Sequence, residues 1–222
     1  MTCGPCLVPG ERRSLDVGYN NPVTSSHELK PPALTALWEQ HWPECPPFAH
    51  RLRGQYPDQW VRFHSLPESK RYPDNESEYA IVLDRHYTVL SELAPGAVLL
   101  VVTSEWTEGP RLTPQMWPRR SEIAPFAWYW RTLLEHPEEE PECRSYTQLY
   151  ADTILWRPGA IDVLLRAVAD DELANVILAP TDLRWLYLPY DGGADVVLPT
   201  REQRDALKAQ HRDWLSQQSS GF

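Results

Sequence analysis

The chain lacks every short motif that would announce a reaction: no GxSxG, Walker loop, GxGxxG or HExxH occurs in it. Long apolar runs are missing too. Ala97 to Val102 is the longest candidate and is strand-sized, far short of the roughly 20 residues a membrane helix needs. The N-terminal stretch MTCGPCLVPGERRSLDVGYN carries no apolar signal core behind a basic region. These absences lead us to expect a soluble, cytoplasmic protein with no membrane partner. Cysteine is scarce, with four in 222 residues, too few for a disulfide scaffold. Cys3 and Cys6 form a CxxC, but Cys45 and Cys143 stand alone, so the second close ligand pair of a structural zinc site is absent. A redox CxxC would open a helix after a strand, whereas this one sits in a Pro- and Gly-containing tail. No metal and no cofactor is expected. Positive charge is also in deficit: 21 basic against 31 acidic residues give a formal net charge of -10. Such a chain repels phosphate backbones, which argues against nucleic acid, and it steers toward basic partners, although the same charge also serves plain solubility.

What is present can build a core. Hydrophobic residues make up 42% and aromatic residues 11%, ten of them Trp. Residues 1–28 contain Gly, Pro, Asn and Ser without apolar periodicity and read as a flexible arm, leaving 29–222 as a single domain. Pro31-Pro32 open a helix with Leu34, Leu37, Trp38 and His41 at helical spacing, and Cys45-Pro46-Pro47 ends it. QWVRFHSL, residues 59–66, alternates as a half-buried strand. Residues 76–93 carry Tyr79, Val82, Leu83, His86, Val89, Leu90 and Leu93 along one helical face, bounded by Pro95-Gly96. AVLLVVT, residues 97–103, follows as a buried central strand.

Strand, helix and strand in that order suggest a βαβ-like unit. Between residues 105 and 145 only FAWYW reads as a strand, and the acidic EHPEEEPE reads as a solvated loop. YTQLYADTILW is a strand, AIDVLLRAVADDE a helix and NVILA a short strand. A helix from Thr200, capped by Thr200 and Gln203, buries Leu207, Trp214 and Leu215. The expected class is α+β: a mixed central sheet flanked by helices, with a C-terminal β-hairpin followed by a helix.

The hairpin is WLYLPYDGGADVVL, residues 185–198. Gly192-Gly193 between two β-prone runs signals a tight turn, because glycine accepts positive φ, and Asp191 can bond the turn amides. Trp185–Tyr190 and Ala194–Leu198 should therefore pair antiparallel across 191–194, and Gly193→Val should cost on the order of 1–3 kcal/mol. Asp191 and Asp195 are too few for a calcium loop. A second polar cluster, RFHSLPESKRY, residues 62–72, gathers Arg62, His64, Lys70 and Arg71 at a strand end, where a loop could bind an anion or a carboxylate. The bland alternative is a solvated loop whose arginines pair with Glu76 and Glu78. His64 and Ser65 point to opposite faces of their strand and do not form a nucleophile pair.

The aromatic strand, YDGGADVV and the helix ending in RDWLS resemble the C-terminal module of an uncharacterised bacterial domain family marked by a YDDRG-type hairpin. Tyr190, Asp191, Gly193, Asp195, Val196 and Trp214 match that module, while Gly192 stands where the family has Asp-Arg. The arrangement of RFHSLPESKRYP and the helix after it is also similar to that family. The resemblance implies an architecture and a bacterial origin, and no reaction.

Two functions stay open on these residues. The first is a binding protein of immunity or antitoxin type, whose acidic, aromatic surface meets a basic protein such as a toxin; Glu138, Glu139 and Glu140 would assist its association. The second is a small enzyme using a polar cleft with Arg62, His64, Asp191 and Asp195. Tyr190, Lys70 and Arg71 join these as candidate ligand or partner contacts. An enzyme should gather those four residues in one pocket, whereas a binder should show a broad acidic or aromatic face.

Overall fold

The computed structural model describes residues 29–110, 120–140 and 143–216. The expected arm, with Cys3 and Cys6, lies outside them. The helices are α1 (Pro31–His41), α2 (Ala49–Gln55), α3 (Glu76–Leu93), α4 (Arg120–Ile123), α5 (Asp162–Ala169) and α6 (Arg201–Gln210). The strands are β1 (Trp60–His64), β2 (Val98–Thr107), β3 (Trp128–Leu134), β4 (Tyr146–Leu155), β5 (Ile177–Pro180), β6 (Leu186–Tyr190) and β7 (Gly193–Val197). Local chemistry sets several of these ends. Pro31 and Pro32 occupy the first turn of α1, where their missing N–H groups would be unbonded anyway. The Asn75 side chain caps α3 by accepting from the Glu78 amide at 3.1 Å. Thr200 does the same for α6 through the Gln203 amide at 3.2 Å.

The seven strands form one sheet in the order β1-β7-β6-β5-β2-β4-β3, and every ladder is antiparallel. This differs from the mixed sheet expected of a βαβ unit, and the reason is topological. Alternating directions give β1 and β2 the same sense, but β7, β6 and β5 lie between them. Likewise β4 and β5 share a sense with β2 between them. Helices α3 and α5 are thus the crossovers of two split βαβ units, and the inserted strands remove every parallel contact. The α+β class, the flanking helices and the C-terminal hairpin followed by a helix hold.

Both faces of the sheet are covered. Val61, Phe63, Val101, Tyr187 and Val196 pack against Leu83, Val89 and Leu90 of α3 and Leu164, Leu165 and Val168 of α5. On the other face Leu100, Val102, Ile177, Leu188 and Val197 meet Leu34 and Trp38 of α1 and Leu52 of α2. The continuous run in β2 is needed because that strand buries side chains on both faces. Among the described residues no helix is long and apolar enough to cross a membrane.

The α3 face encloses one polar chain. His86, buried in α3, lies with Nδ1 2.6 Å from the Tyr187 hydroxyl and Nε2 3.5 Å from Ser65 Oγ. Burial holds the His86 imidazole down at about 4 from its ordinary 6.5. An unfolded chain takes up this proton near pH 6.5 and the folded chain does not, so stability is complete above pH 6.5 and is lost as pH falls toward 4. The loss from this group reaches about 3 kcal/mol. Urea midpoints measured across that range should fall more steeply for the native protein than for His86→Gln. Equal slopes would refute this assignment.

Candidate functional site

Two cross-strand rows on the α2 face of the sheet make the floor of the site. In the first, Leu188 of β6 lies opposite Asp195 of β7, which lies opposite Arg62 of β1. In the second, Tyr190 lies opposite Gly193 and Gly193 opposite His64. Alternation along β1 puts Arg62 and His64 on this face because Val61 and Phe63 are committed to the α3 side. The hairpin loop is Asp191-Gly192, with Tyr190 paired to Gly193, so β7 begins one residue earlier than expected. Gly193 has φ 157°, and a Cβ there would stand 1.9 Å from the Phe63 carbonyl oxygen. Glycine is required by this backbone contact as well as by the turn.

Arg62 donates through Nε and Nη2 to both oxygens of Asp195, at 2.7 and 2.8 Å, in a side-on pair of which both members are largely buried. Its guanidinium also lies 4.5 Å from the centre of the Tyr190 ring. Burial works against the Arg62 charge, and the bonded Asp195 carboxylate outweighs it, so the pKa is raised. Arg71 forms the same fork with Asp191, through Nε at 2.5 Å and Nη2 at 3.0 Å, but its side chain is 63% exposed. Burial pushes the Tyr190 hydroxyl up to about 12. His64 is held below its ordinary pKa by burial first and then by Arg62 and Arg85. Its Nε2 is buried with no hydrogen-bond partner among the described residues.

Above this floor opens a cavity of about 470 Å³. Its walls come from His50 and Arg53 of α2, from Ser69 and Arg71 after β1, and from Asp171, Leu173, Ala174 and Asn175 between α5 and β5. His50 is also held below its ordinary pKa, by burial and then by Arg51. Five non-glycine residues among those described have left-handed backbone, and three of them, Ser69, Asp171 and Asn175, line this cavity. Each costs about 1–3 kcal/mol, so their gathering here marks a place where the chain holds strain for geometry. The Asn175 side chain also ties two walls together, accepting from the Ala49 amide at 2.6 Å and donating to the Pro47 carbonyl. A second cavity of about 490 Å³ adjoins across α2 and shares His50 and Arg53.

Six of the seven expected residues line the first cavity: Arg62, His64, Arg71, Tyr190, Asp191 and Asp195. Lys70 does not. It turns outward to Asp74 and Glu78, at 2.7 and 2.6 Å, while Glu76 pairs with Arg166. The bland pairing of the arginines with Glu76 and Glu78 fails for both: Arg62 and Arg71 go to Asp195 and Asp191, and Lys70 takes Glu78. His50, Arg53, Asp171 and Asn175 were missed. The helix that carries His50 and Arg53, AHRLRGQ, is seven residues long with Leu52 as its one buried residue, and its amide cap comes from Asn175 in the segment between α5 and β5.

All of these cavity residues fall within residues 48–219, which match the family described as Domain of unknown function (DUF3885). The chain belongs to the DUF3885 family. No curated protein and no solved structure matches it. Within the DUF3885 domain the matched span begins at Phe48, so α2, the whole sheet and the cavity are inside it and α1 precedes it.

Proposed function

We propose that this domain binds a small anionic ligand in the cavity between α2 and the β6–β7 hairpin. One observation carries the reading: arginines from three separate segments, Arg53, Arg62 and Arg71, line one concave site beside two imidazoles, in a chain of net charge -10. Convergent guanidiniums in a cleft are the ordinary means of holding carboxylates and phosphates. Asp191 and Asp195, the two carboxylates of the expected polar cleft, are each locked in an arginine fork. A carboxylate so held has both oxygens engaged by a guanidinium, which favours a positioning role over proton transfer. The experiment is a thermal melt of the full chain with sulfate, succinate or phosphate against chloride at matched ionic strength. At least one of the three anions should raise the midpoint, and Arg71→Gln should abolish the rise. Failure of all three, or a rise that survives Arg71→Gln, overturns the reading.

A basic protein partner of toxin type is the second reading. It is supported by the exposed run Glu138–Glu140 and by the exposed rings of Phe126 and Trp106, features that lie away from the cavity lining. Cytoplasmic residence of such a binder is part of the same proposal.

A further inference from the structure

We propose that the ligand of this cavity is a small phosphate monoester, its phosphoryl group bound by Arg71 beside Arg53 and Arg62 and its organic part lying on Leu173, Leu188 and Pro189. The inference rests on the anion-binding reading above and goes further by choosing among anions. The choice comes from the geometry of the forks. A carboxylate ligand docks best on the Nε and Nη2 edge of a guanidinium, where two parallel bonds form in one plane. In Arg62 and Arg71 that edge is already taken by Asp195 and Asp191. A carboxylate could use it only by displacing a side chain that is 6% or 5% exposed.

A phosphoryl group does not need that edge. It presents three terminal oxygens in three directions, and each can accept a single N–H bond. Arg71 is the natural first contact, since two of its five N–H bonds are committed to Asp191 while the side chain remains largely exposed at the cavity rim. His64 adds a neutral imidazole whose buried Nε2 has no partner among the described residues. Neutral imidazoles supply directed bonds without demanding a counter-charge. The lining is balanced in formal charge, with Arg53, Arg62 and Arg71 against Asp171, Asp191 and Asp195. Recognition therefore depends on where donors point rather than on a net field. Size makes the remaining choice. A cavity of about 470 Å³ is several times larger than a bare phosphate, and Leu173, Leu188 and Pro189 give the surplus an apolar wall suited to an organic group.

The test is calorimetric titration of the full chain with glucose 6-phosphate, glucuronate, glucose and inorganic phosphate, repeated with adenosine 5′-monophosphate and adenosine. Glucuronate places a carboxylate where the sugar phosphate carries its phosphoryl group. Inorganic phosphate probes the anion subsite independently of any organic part. Inorganic phosphate should bind weakly, at least one monoester should bind more tightly, and the neutral parents should not bind. Arg71→Gln should weaken phosphate and ester by about tenfold or more. Lys70→Gln, one residue away and outside the cavity, should change neither. Binding of glucuronate or succinate without phosphate overturns the monoester and leaves the anion pocket standing. Inorganic phosphate binding as tightly as both esters removes the role given to the apolar wall and overturns the proposal. Absence of any Arg71-dependent binding, by phosphate or by carboxylate, defeats this inference and the anion-binding reading together.

Discussion

Gly193→Ala should destabilise the protein by about 3–5 kcal/mol, read as a drop in the free energy of unfolding from urea titration. A turn glycine alone would account for the smaller figure of on the order of 1–3 kcal/mol. The added cost comes from the neighbouring strand. At φ 157° the new Cβ points at the Phe63 carbonyl oxygen, 1.9 Å away, and meets His64 Cα at 3.0 Å. These are backbone atoms held by the β1–β7 ladder, so no side-chain rotation can relieve them; either β1 moves or the ladder opens. Gly192→Ala is the internal comparison. Its Cβ would meet the Tyr190 ring edge at 2.9 Å, and a ring can swing. Its loss should be no more than about 1 kcal/mol. Equal losses at the two positions would show that the turn, rather than the close approach of β7 to β1, requires glycine.

Asp195→Ala should cost about 3–5 kcal/mol, because it leaves the Arg62 guanidinium, 12% exposed, without its counter-charge. The value of the pair itself is a separate quantity. Removing both charges with Arg62→Met and Asp195→Leu should restore much of the loss, since an apolar pair of similar bulk avoids the desolvation that the ions suffer. Urea denaturation of the two variants beside the native protein checks this. A loss below about 1 kcal/mol for Asp195→Ala would place the pair with ordinary surface bridges, and the floor of the cavity would then be far wetter than described.

Much of this architecture was legible from pattern alone, and the limits follow from what local pattern can encode. The buried face of α3 was readable because Val82, Leu83, His86, Val89 and Leu90 recur at helical spacing. The Thr200 cap was readable because its acceptor and donor lie three residues apart. The hairpin was readable because glycine punctuates two β-prone runs. The order of strands was not, because insertion of β5, β6 and β7 between β1 and β2 is decided by contacts far apart in sequence. The same holds for α2, whose cap is supplied by Asn175, 126 positions away. Side-chain partners followed no sequence proximity: Lys70 found its neighbours in α3 and the preceding loop, while Arg71, the next residue, reached Asp191. Concentration of polar residues near a strand end pointed to the right region, but only the fold could say which of them faced inward.

Because among the described residues β1 pairs with β7 alone, the chain must extend more than a hundred residues past Arg62 before that strand has this neighbour; Asp195 is 133 positions downstream. Loop closure on that scale is slow, and an unpaired strand waits as an open edge until it happens. On a ribosome, β1 would emerge well over a hundred residues ahead of β7 and remain unpartnered over that interval. The cavity could accordingly form only after β7 had joined β1, and misfolding would begin with β1 taking another strand in place of β7.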